Sequence, residues 1–237
     1  MGFKDRLVGL VGYYDDRFWR YKPVIRFLET LPGPDVLEIG NDGEGITRMW
    51  PHPVVGLDIR PNGRFASVSQ VLGTAAAMPF RDRAFDVVLA MDVLEHIPPP
   101  LRGGAVREML RVTRGRLFLA FPTGRLAALY ERDVNEFYKR QFGNDNPWLI
   151  EHIRNGLPDL AGVLQLFDGR KVTVSQNVNL HVWRLYMKML SLFTRKRSGR
   201  LIWDLASLLL VRPLEKVVSR GAGYRVILQV QNDTGGC

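Results

Sequence analysis

The stretch DVLEIGNDGEGITRMWPHPVVGLDIR, residues 35–60, decides the fold of this chain. Its first apolar run, Val36–Ile39, predicts a strand, and a second run, Val54–Leu57, predicts another strand that ends on the acid Asp58. Between them lies a turn with three glycines, Gly40, Gly43 and Gly45. Glycine lets the backbone turn sharply and approach a ligand, and a short helix behind the turn offers free N–H groups. An acid about twenty residues past the first strand can accept hydrogen bonds from ribose hydroxyls, so we expect a ribose-bearing ligand here.

The length and composition of the chain limit the classes of protein to which it can belong. Its 237 residues suit one large α/β domain, or a domain with an appended subdomain. Apolar residues make up 46% of the sequence, enough for a sizeable core, so we do not expect disorder. The single cysteine, Cys237, excludes a disulfide framework and a cysteine-based metal cluster. The four histidines show no ligand spacing such as H-x-x-x-H, and we therefore expect no metal site. These histidines are His52, His96, His152 and His181.

The first residues and the net charge bear on location and partners. The start, MGFKDR, lacks the apolar core of a signal peptide, and Arg6 stands where a myristoylation signal requires Ser or Thr. No apolar run approaches the ~20 residues that span a bilayer, so we expect a cytoplasmic protein. The net charge of +9 favours an anionic partner, which includes a phosphorylated substrate, a nucleic acid or an acidic membrane surface.

Strands and helices alternate along the first half of the chain. After Asp58, the pattern predicts strands over Val68–Leu72, Phe85–Met91 and Arg116–Phe121, with a helix over Leu101–Thr113 before the last of these. Alternation of this kind is typical of an α/β fold with a doubly wound, mostly parallel sheet. Two further stretches, Lys171–Asn177 and Tyr224–Gln231, alternate as strands do.

Three motifs carry a resemblance to a known family. Residues 73–90, GTAAAMPFRDRAFDVVLA, closely resemble the GDAxxLPFxDxxFDxV stretch of the methyltransferase type-11 family. Residues 92–97, DVLEHI, resemble its xxVLEHI motif, and Glu38-x-Gly40 is similar to the first motif of class I S-adenosylmethionine (SAM)-dependent methyltransferases. The resemblance covers roughly residues 33–123. It implies a seven-stranded Rossmann-like sheet in which the last strand is antiparallel and follows a helical insertion.

The resemblance also implies SAM as the cofactor and a set of residues that bind it. The methionine end of SAM would lie at Glu38 and Gly40–Gly45, the ribose on Asp58, and the adenine beside Thr74 and Met78. The full set of expected contacts is Glu38, Gly40, Asn41, Asp42, Gly43, Gly45, Asp58, Ile59, Thr74, Ala75, Ala76, Met78 and Met91.

Three residues depart from the family pattern. Asp42 and Glu44 stand where the family usually has glycines, although Asp tolerates left-handed backbone geometry better than most residues. Thr74 replaces the Asp that accepts a hydrogen bond from the adenine amine. A hydroxyl can still accept this bond, but a neutral acceptor is weaker than a carboxylate, so we expect weaker adenine recognition.

His96 and Asp92 are the candidate catalytic residues, because they follow the fourth strand at the carboxyl edge where open α/β sheets bind ligands. Histidine titrates near neutral pH and is the better general-base candidate by type. The alternative is that His96 braces the loop, since methyl transfer needs a base only when the acceptor must lose a proton.

The sequence further predicts three parts of the chain. Residues 1–32 form a helical segment over the cofactor mouth, in which Pro23 starts a second helical piece, Val24–Thr30. The core comprises residues 33–177 and 221–237, and residues 178–220 form a helical cap insertion. The insertion has a narrow polar stripe with a basic cluster after it: His181, Arg184, Lys188, Ser191 and Arg195, then Lys196, Arg197 and Arg200. It is interpreted as a buried two-helix cap, as a lid for an apolar substrate, or as a dock for an anionic membrane surface through residues 178–212.

The predicted function is methyl transfer from SAM to a small-molecule, sugar or lipid-linked acceptor. The absence of a Pro-Pro-Tyr motif after strand four, where Met91-Asp92-Val93-Leu94 stands, argues against a DNA acceptor. The alternative from a different class is a non-catalytic, methyltransferase-like binding protein, for which Asp42, Glu44 and Thr74 are the support. A nicotinamide oxidoreductase ranks third, because the glycine spacing is wrong for a dinucleotide.

Overall fold

A computed structural model describes residues 16–43, 45–60, 67–194 and 221–232 of the chain. Seven strands form one sheet in the order β3-β2-β1-β4-β5-β7-β6. The strands are β1 (Val36–Ile39), β2 (Val54–Asp58), β3 (Val68–Leu72), β4 (Phe85–Met91), β5 (Thr113–Pro122), β6 (Val172–Asn179) and β7 (Gly223–Gln231). The helices are α1 (Asp16–Leu28), α2 (Pro99–Val112), α3 (Arg125–Phe142), α4 (Pro147–Asn155), α5 (Leu160–Gln165) and α6 (Leu180–Thr194), with a 3₁₀ turn at Gly45–Arg48.

The pairing of the strands confirms the predicted fold class. Strands β1 to β5 pair in parallel, and β7 pairs antiparallel with both β5 and β6. The sheet is therefore doubly wound and mostly parallel, with an antiparallel pair at one side. Strand β6 runs to Asn179, which pairs with Gly223, so the helical part of the predicted insertion begins at Leu180. The second helix of the predicted two-helix cap, residues 201–211, lies outside the described residues, as does Glu44.

Alternate side chains of the central strands enter two apolar layers. In β4, Val87, Leu89 and Met91 pack with α1 on one face of the sheet, whereas Val88 and Ala90 pack with α2 and α5 on the other. All five are buried, and full burial of a valine or leucine side chain contributes about 1.5–3 kcal/mol. These two layers fix the carboxyl ends of the strands, where the predicted site residues lie.

Helix α1 is continuous, so the predicted break at Pro23 is wrong. Proline has no N–H, which deprives the carbonyl group of Trp19 of its usual helical donor four residues later. The Asn177 side chain of β6 supplies the missing bond, because its Nδ2 donates to the Trp19 carbonyl oxygen at 2.9 Å. A tertiary hydrogen bond thus replaces the one that proline removes, and the helix runs through.

A buried ion pair ties β4 to β7. The Arg225 side chain is 1% exposed, and its Nη2 lies 2.7 Å from Asp92 Oδ2 while its Nε donates to Asp92 Oδ1 at 3.0 Å. Asp92 also pairs with Arg20 of α1 at 3.2 Å. By contrast, Arg114 joins Asp35 and Asp86 at the surface, where its side chain is 35% exposed.

None of the described helices has both the length and the apolar character needed to cross a bilayer.

We expect Arg225→Met to lower the free energy of unfolding by about 3 kcal/mol, because it leaves the Asp92 carboxylate short of a buried partner. The matched change Arg114→Met removes an exposed pair and should cost less than about 1 kcal/mol. Urea unfolding followed by circular dichroism measures both. Equal losses would contradict a special role for the buried pair.

Candidate functional site

The glycine turn after β1 has the left-handed geometry that a close approach to a ligand requires. The φ angles are 68° at Gly40, 47° at Asp42, 76° at Gly43 and 49° at Gly45. The expectation that Asp42 is accommodated in the left-handed region is therefore confirmed. The replacement of a family glycine by Asp42 leaves the path of the turn intact.

Glu38 holds this turn from the buried side. Its carboxylate is 1% exposed and accepts hydrogen bonds from the Tyr21 hydroxyl at 2.5 Å and from the Ile46 N–H at 2.8 Å. Any side chain at Gly45 would meet it, since a Cβ there would lie 1.9 Å from Glu38 Oε2. Burial raises the pKa of Glu38 to about 7, although the two hydrogen bonds oppose this rise. The predicted role of Glu38 at the methionine end stays a prediction; its observed contacts support the turn.

Asp58 closes the turn from the other side. Its Oδ2 accepts from the Asp42 N–H at 3.0 Å, and its Oδ1 accepts from the Arg60 N–H at 2.8 Å. Each carboxylate oxygen has two acceptor sites, so both keep one for a ribose hydroxyl. Asn41 lies between the two strands, where its Oδ1 accepts from the Gly43 N–H at 3.3 Å and its side chain covers Gly56. These residues fit the ribose and methionine ends of SAM.

The predicted adenine residues lie together after β3. The Thr74 hydroxyl accepts from the Ala76 N–H at 3.3 Å, and Ala75 and Met78 are buried. The Met78 N–H donates to Glu108 at 2.9 Å, and the Met78 side chain packs in the apolar core.

Two exposed aliphatic side chains stand beside the adenine residues. Ile59 is 65% exposed and Leu72 is 72% exposed, at the carboxyl ends of β2 and β3. They offer the flat apolar surface that an aromatic base requires. Ile59 is among the contacts predicted from the sequence and Leu72 is not, although an apolar residue that ends a predicted strand was available as a signal.

The two predicted catalytic residues have different surroundings. Asp92 has φ of 57° and is held by Arg225 and Arg20, so its charge is already paired. His96 is partly exposed; its Nδ1 lies 2.7 Å from Glu151 Oε2, and its Nε2 lies 3.1 Å from the Nε2 of His152. Burial and the neighbouring His152 lower the pKa of His96, which keeps its imidazole neutral at pH 7. The catalytic assignments stay predictions. The pairing favours a positioning role for Asp92.

A buried polar network that sequence reasoning missed lies behind His96. His152 Nδ1 is 2.9 Å from Glu131 Oε1, and the Tyr224 hydroxyl donates to the same oxygen at 2.6 Å. Glu131 shares one face of α3 with buried Ala127 and Val134. An acidic residue within the apolar face of a predicted helix was therefore the available sequence signal for a buried Glu131. No local pattern connects Glu131 to its partners on α4 and β7.

We predict that the buried Glu38 makes stability fall as the pH rises from 4.5 to 7. Between its ordinary pKa of 4.5 and its folded value of about 7, the folded state binds more protons than the unfolded state, which favours folding at the acidic end. Glu38→Gln should flatten the pH dependence of the unfolding free energy by about 3 kcal/mol over this range.

Glu108→Gln is the matched control for this prediction. Hydrogen bonds from Arg111 lower the pKa of Glu108 to about 2, so its contribution to stability changes only between pH 2 and 4.5. Urea unfolding at pH 4.5 to 7 should separate the two variants. A Glu38→Gln curve parallel to that of the unmodified protein would contradict the assignment.

Comparison with known proteins agrees with this geometry. Residues 37–121 match a family model described as a methyltransferase domain. The demethylmenaquinone methyltransferase of Renibacterium salmoninarum is 30% identical over 156 residues. This match covers 61% of the present chain and spans 58% of that relative's length.

Solved structures show the same fold at lower identity. The YcgJ protein from Bacillus subtilis is 17% identical with a TM-score of 0.54, and the match covers 91% of this chain and 99% of that one. The magnesium protoporphyrin IX methyltransferase from Synechocystis PCC 6803, solved with bound S-adenosylhomocysteine (SAH), is 15% identical with a TM-score of 0.53. That match covers 98% of this chain and 88% of the Synechocystis chain. The type-11 motifs, the sheet order and the glycine turn on Asp58 agree with the methyltransferase domain that residues 37–121 match.

Proposed function

We propose that this protein transfers a methyl group from SAM to an apolar small-molecule or lipid-linked acceptor. The observation that carries the proposal is the left-handed glycine turn closed by Asp58 at the carboxyl edge of the sheet. When bound, SAM supplies an electrophilic methyl group. The Asp58 carboxylate would hold the ribose hydroxyls, the turn would hold the methionine end, and Ile59 and Leu72 would flank the adenine.

Exposed apolar side chains near this edge support an apolar acceptor. Trp148 of α4 is 60% exposed and its ring meets His96 edge-on, with ring centroids 6.1 Å apart. Helix α3, which packs against α4 and α6, adds exposed Leu126 and Leu129, and α6 adds Leu185. The relative from Renibacterium salmoninarum, named for a quinone acceptor, supports the same chemical class. A sugar acceptor, which the sequence also allowed, has less support from these side chains.

The orientation of α6 bears on the lid and membrane interpretations. Arg184 and Lys188 of the predicted polar stripe both pair with Asp133 of α3, at 2.5 and 2.6 Å, and Ser191 is buried. Arg184, Lys188 and Ser191 of the polar stripe therefore lie against the protein. His181 of the same stripe is exposed, as are Leu185 and Leu192. This orientation supports α6 as a wall beside an apolar acceptor. Docking to an anionic membrane would depend on the basic cluster after Thr194, which lies outside the described residues.

The residues at the edge would act mainly by positioning. In-line methyl transfer depends on holding the two reacting atoms close together and aligned. Arg225, Asp92 and Arg20 fix the end of β4. Trp148 would lie against one side of the acceptor. His96 can accept a proton where an acceptor hydroxyl must lose one.

The cofactor half of the proposal is tested by calorimetric titration with SAM and SAH. Asp58→Ala should weaken binding by about 10- to 100-fold, because it removes charged hydrogen-bond acceptors. Thr74→Asp restores the charged acceptor and should tighten binding about fivefold. Asp82→Ala removes an exposed acid that pairs with Arg111 and should leave binding unchanged. If the folded protein binds neither ligand, the proposal fails.

The acceptor half is tested with radiolabelled SAM and a panel of quinones, phenols and sugars. We expect transfer to the apolar ring compounds, and Trp148→Ala should raise KM for the acceptor about tenfold through lost apolar contact while the SAM affinity is kept. Val174→Ala changes an exposed apolar residue on the edge strand β6 and serves as the control. Transfer to sugars alone would contradict the apolar assignment.

A further inference from the structure

Two histidines from distant parts of the chain face each other at the carboxyl edge of the sheet. The Nε2 atoms of His96 and His152 are 3.1 Å apart, although the residues are separated by 56 positions. The rings meet edge-on with their centroids 4.5 Å apart. The side chain of His96 is 28% exposed and that of His152 is 7% exposed, so the pair lies just below the surface.

The other nitrogen of each ring faces a carboxylate. His96 Nδ1 is 2.7 Å from Glu151, and His152 Nδ1 is 2.9 Å from Glu131. An ionised carboxylate only accepts, so each Nδ1 carries the hydrogen in the neutral ring and each Nε2 is left with a bare lone pair. Two lone pairs that face each other at this distance repel unless a proton or a cation lies between them.

The Glu95 side chain lies beside the two histidines and offers a carboxylate as a third ligand. It is 0% exposed, and within the described part of the chain neither of its carboxylate oxygens accepts a hydrogen bond. The Arg102 guanidinium lies near Glu95 but does not donate to its carboxylate. Its hydrogen bonds go to the backbone carbonyls of Leu94, Ile97, Asn155 and Gly156.

The three side chains converge with the geometry of a metal site. One ligand atom from each of Glu95, His96 and His152 lies within 4.8 Å of the others. Two nitrogens bound to one ion at about 2.1 Å each would be about 3.4 Å apart at the tetrahedral angle of zinc and about 3.0 Å apart at a right angle, and the observed 3.1 Å lies between these values. A carboxylate behind each imidazole is the usual outer-shell arrangement of metal-bound histidine.

We propose that Glu95, His96 and His152 form a binding site for a divalent transition-metal ion, with zinc as the first candidate. Two imidazoles and one carboxylate suit zinc, iron or cobalt better than magnesium or calcium, which prefer oxygen ligands. Three protein ligands leave a coordination position open for water or for an oxygen of an acceptor. An ion on His96 Nε2 would occupy the atom proposed as a base, and a metal-bound water would then be the group that accepts a proton.

The test uses the full chain after treatment with a chelator, titrated with Zn²⁺ in a calorimeter and with Co²⁺ followed by visible absorption. We expect one ion per chain, with cobalt bands typical of nitrogen and oxygen ligands. Glu95→Gln and His152→Gln should weaken Zn²⁺ binding by about 100-fold or more, since each removes a ligand. His52→Gln changes an exposed histidine that stacks on Trp50 and should leave the affinity unchanged.

A further variant, at an exposed position, distinguishes loss of a metal ligand from loss of folding at the buried positions. Glu151 is 52% exposed, and Glu151→Gln should weaken Zn²⁺ binding by about 10- to 100-fold through His96 while the circular dichroism spectrum is kept. Failure of the unmodified protein to bind Zn²⁺, or binding by Glu95→Gln and His152→Gln as tight as that of the unmodified protein, would overturn the site. Because these titrations contain no SAM, their outcome is independent of the proposed methyl transfer.

Discussion

The buried Glu38 carboxylate is the interaction on which the cofactor half of the structure depends. Glu38 lies within β1, accepts from Tyr21 of α1 and from the Ile46 N–H after the glycines, and occupies the volume that a side chain at Gly45 would need. A carboxylate without these partners would be too costly to bury. The same contacts therefore fix α1 on the sheet, force the chain into its left-handed turn, and bring the Asp42 N–H to Asp58.

A second set of buried charges organises the acceptor half. Arg225 of β7 pairs with Asp92 after β4, while Glu131 of α3 joins Tyr224 and His152. Each charge is stabilised by a group from a different element, so the helices after β5 can dock in only one arrangement over the carboxyl edge. This arrangement sets a histidine pair and a bare carboxylate beside an exposed tryptophan. Polar side chains that would be costly to bury singly, His96, His152 and Glu95, thus lie together near the surface, where a ligand can approach.

The sequence was sufficient for the sheet and for the glycine turn because both depend on local patterns. Alternating apolar runs fixed the central strands, and the turn residues fall within one short stretch between Gly40 and Asp58. The predicted helix break at Pro23 was wrong, since the hydrogen bond that compensates for proline comes from Asn177, far away in the chain. The polar stripe of α6 was also visible, but its direction was not, because Asp133 on another helix pairs with Arg184 and Lys188.

By itself, the sequence determined the fold class and the resemblance to a methyltransferase domain, since apolar periodicity and glycine spacing act between neighbouring residues. Only the tertiary structure decided which charged groups meet. No spacing links His96 to His152, or Asp92 to Arg225, and scattered histidines pointed to no metal site. Their contacts arise because β7 runs antiparallel to β5, which separates it from β4, so that β7 begins at the edge where β4 ends, and because α4 brings His152 to His96. Long-range electrostatic pairing is a property of the folded chain, and it appears only when the topology is complete.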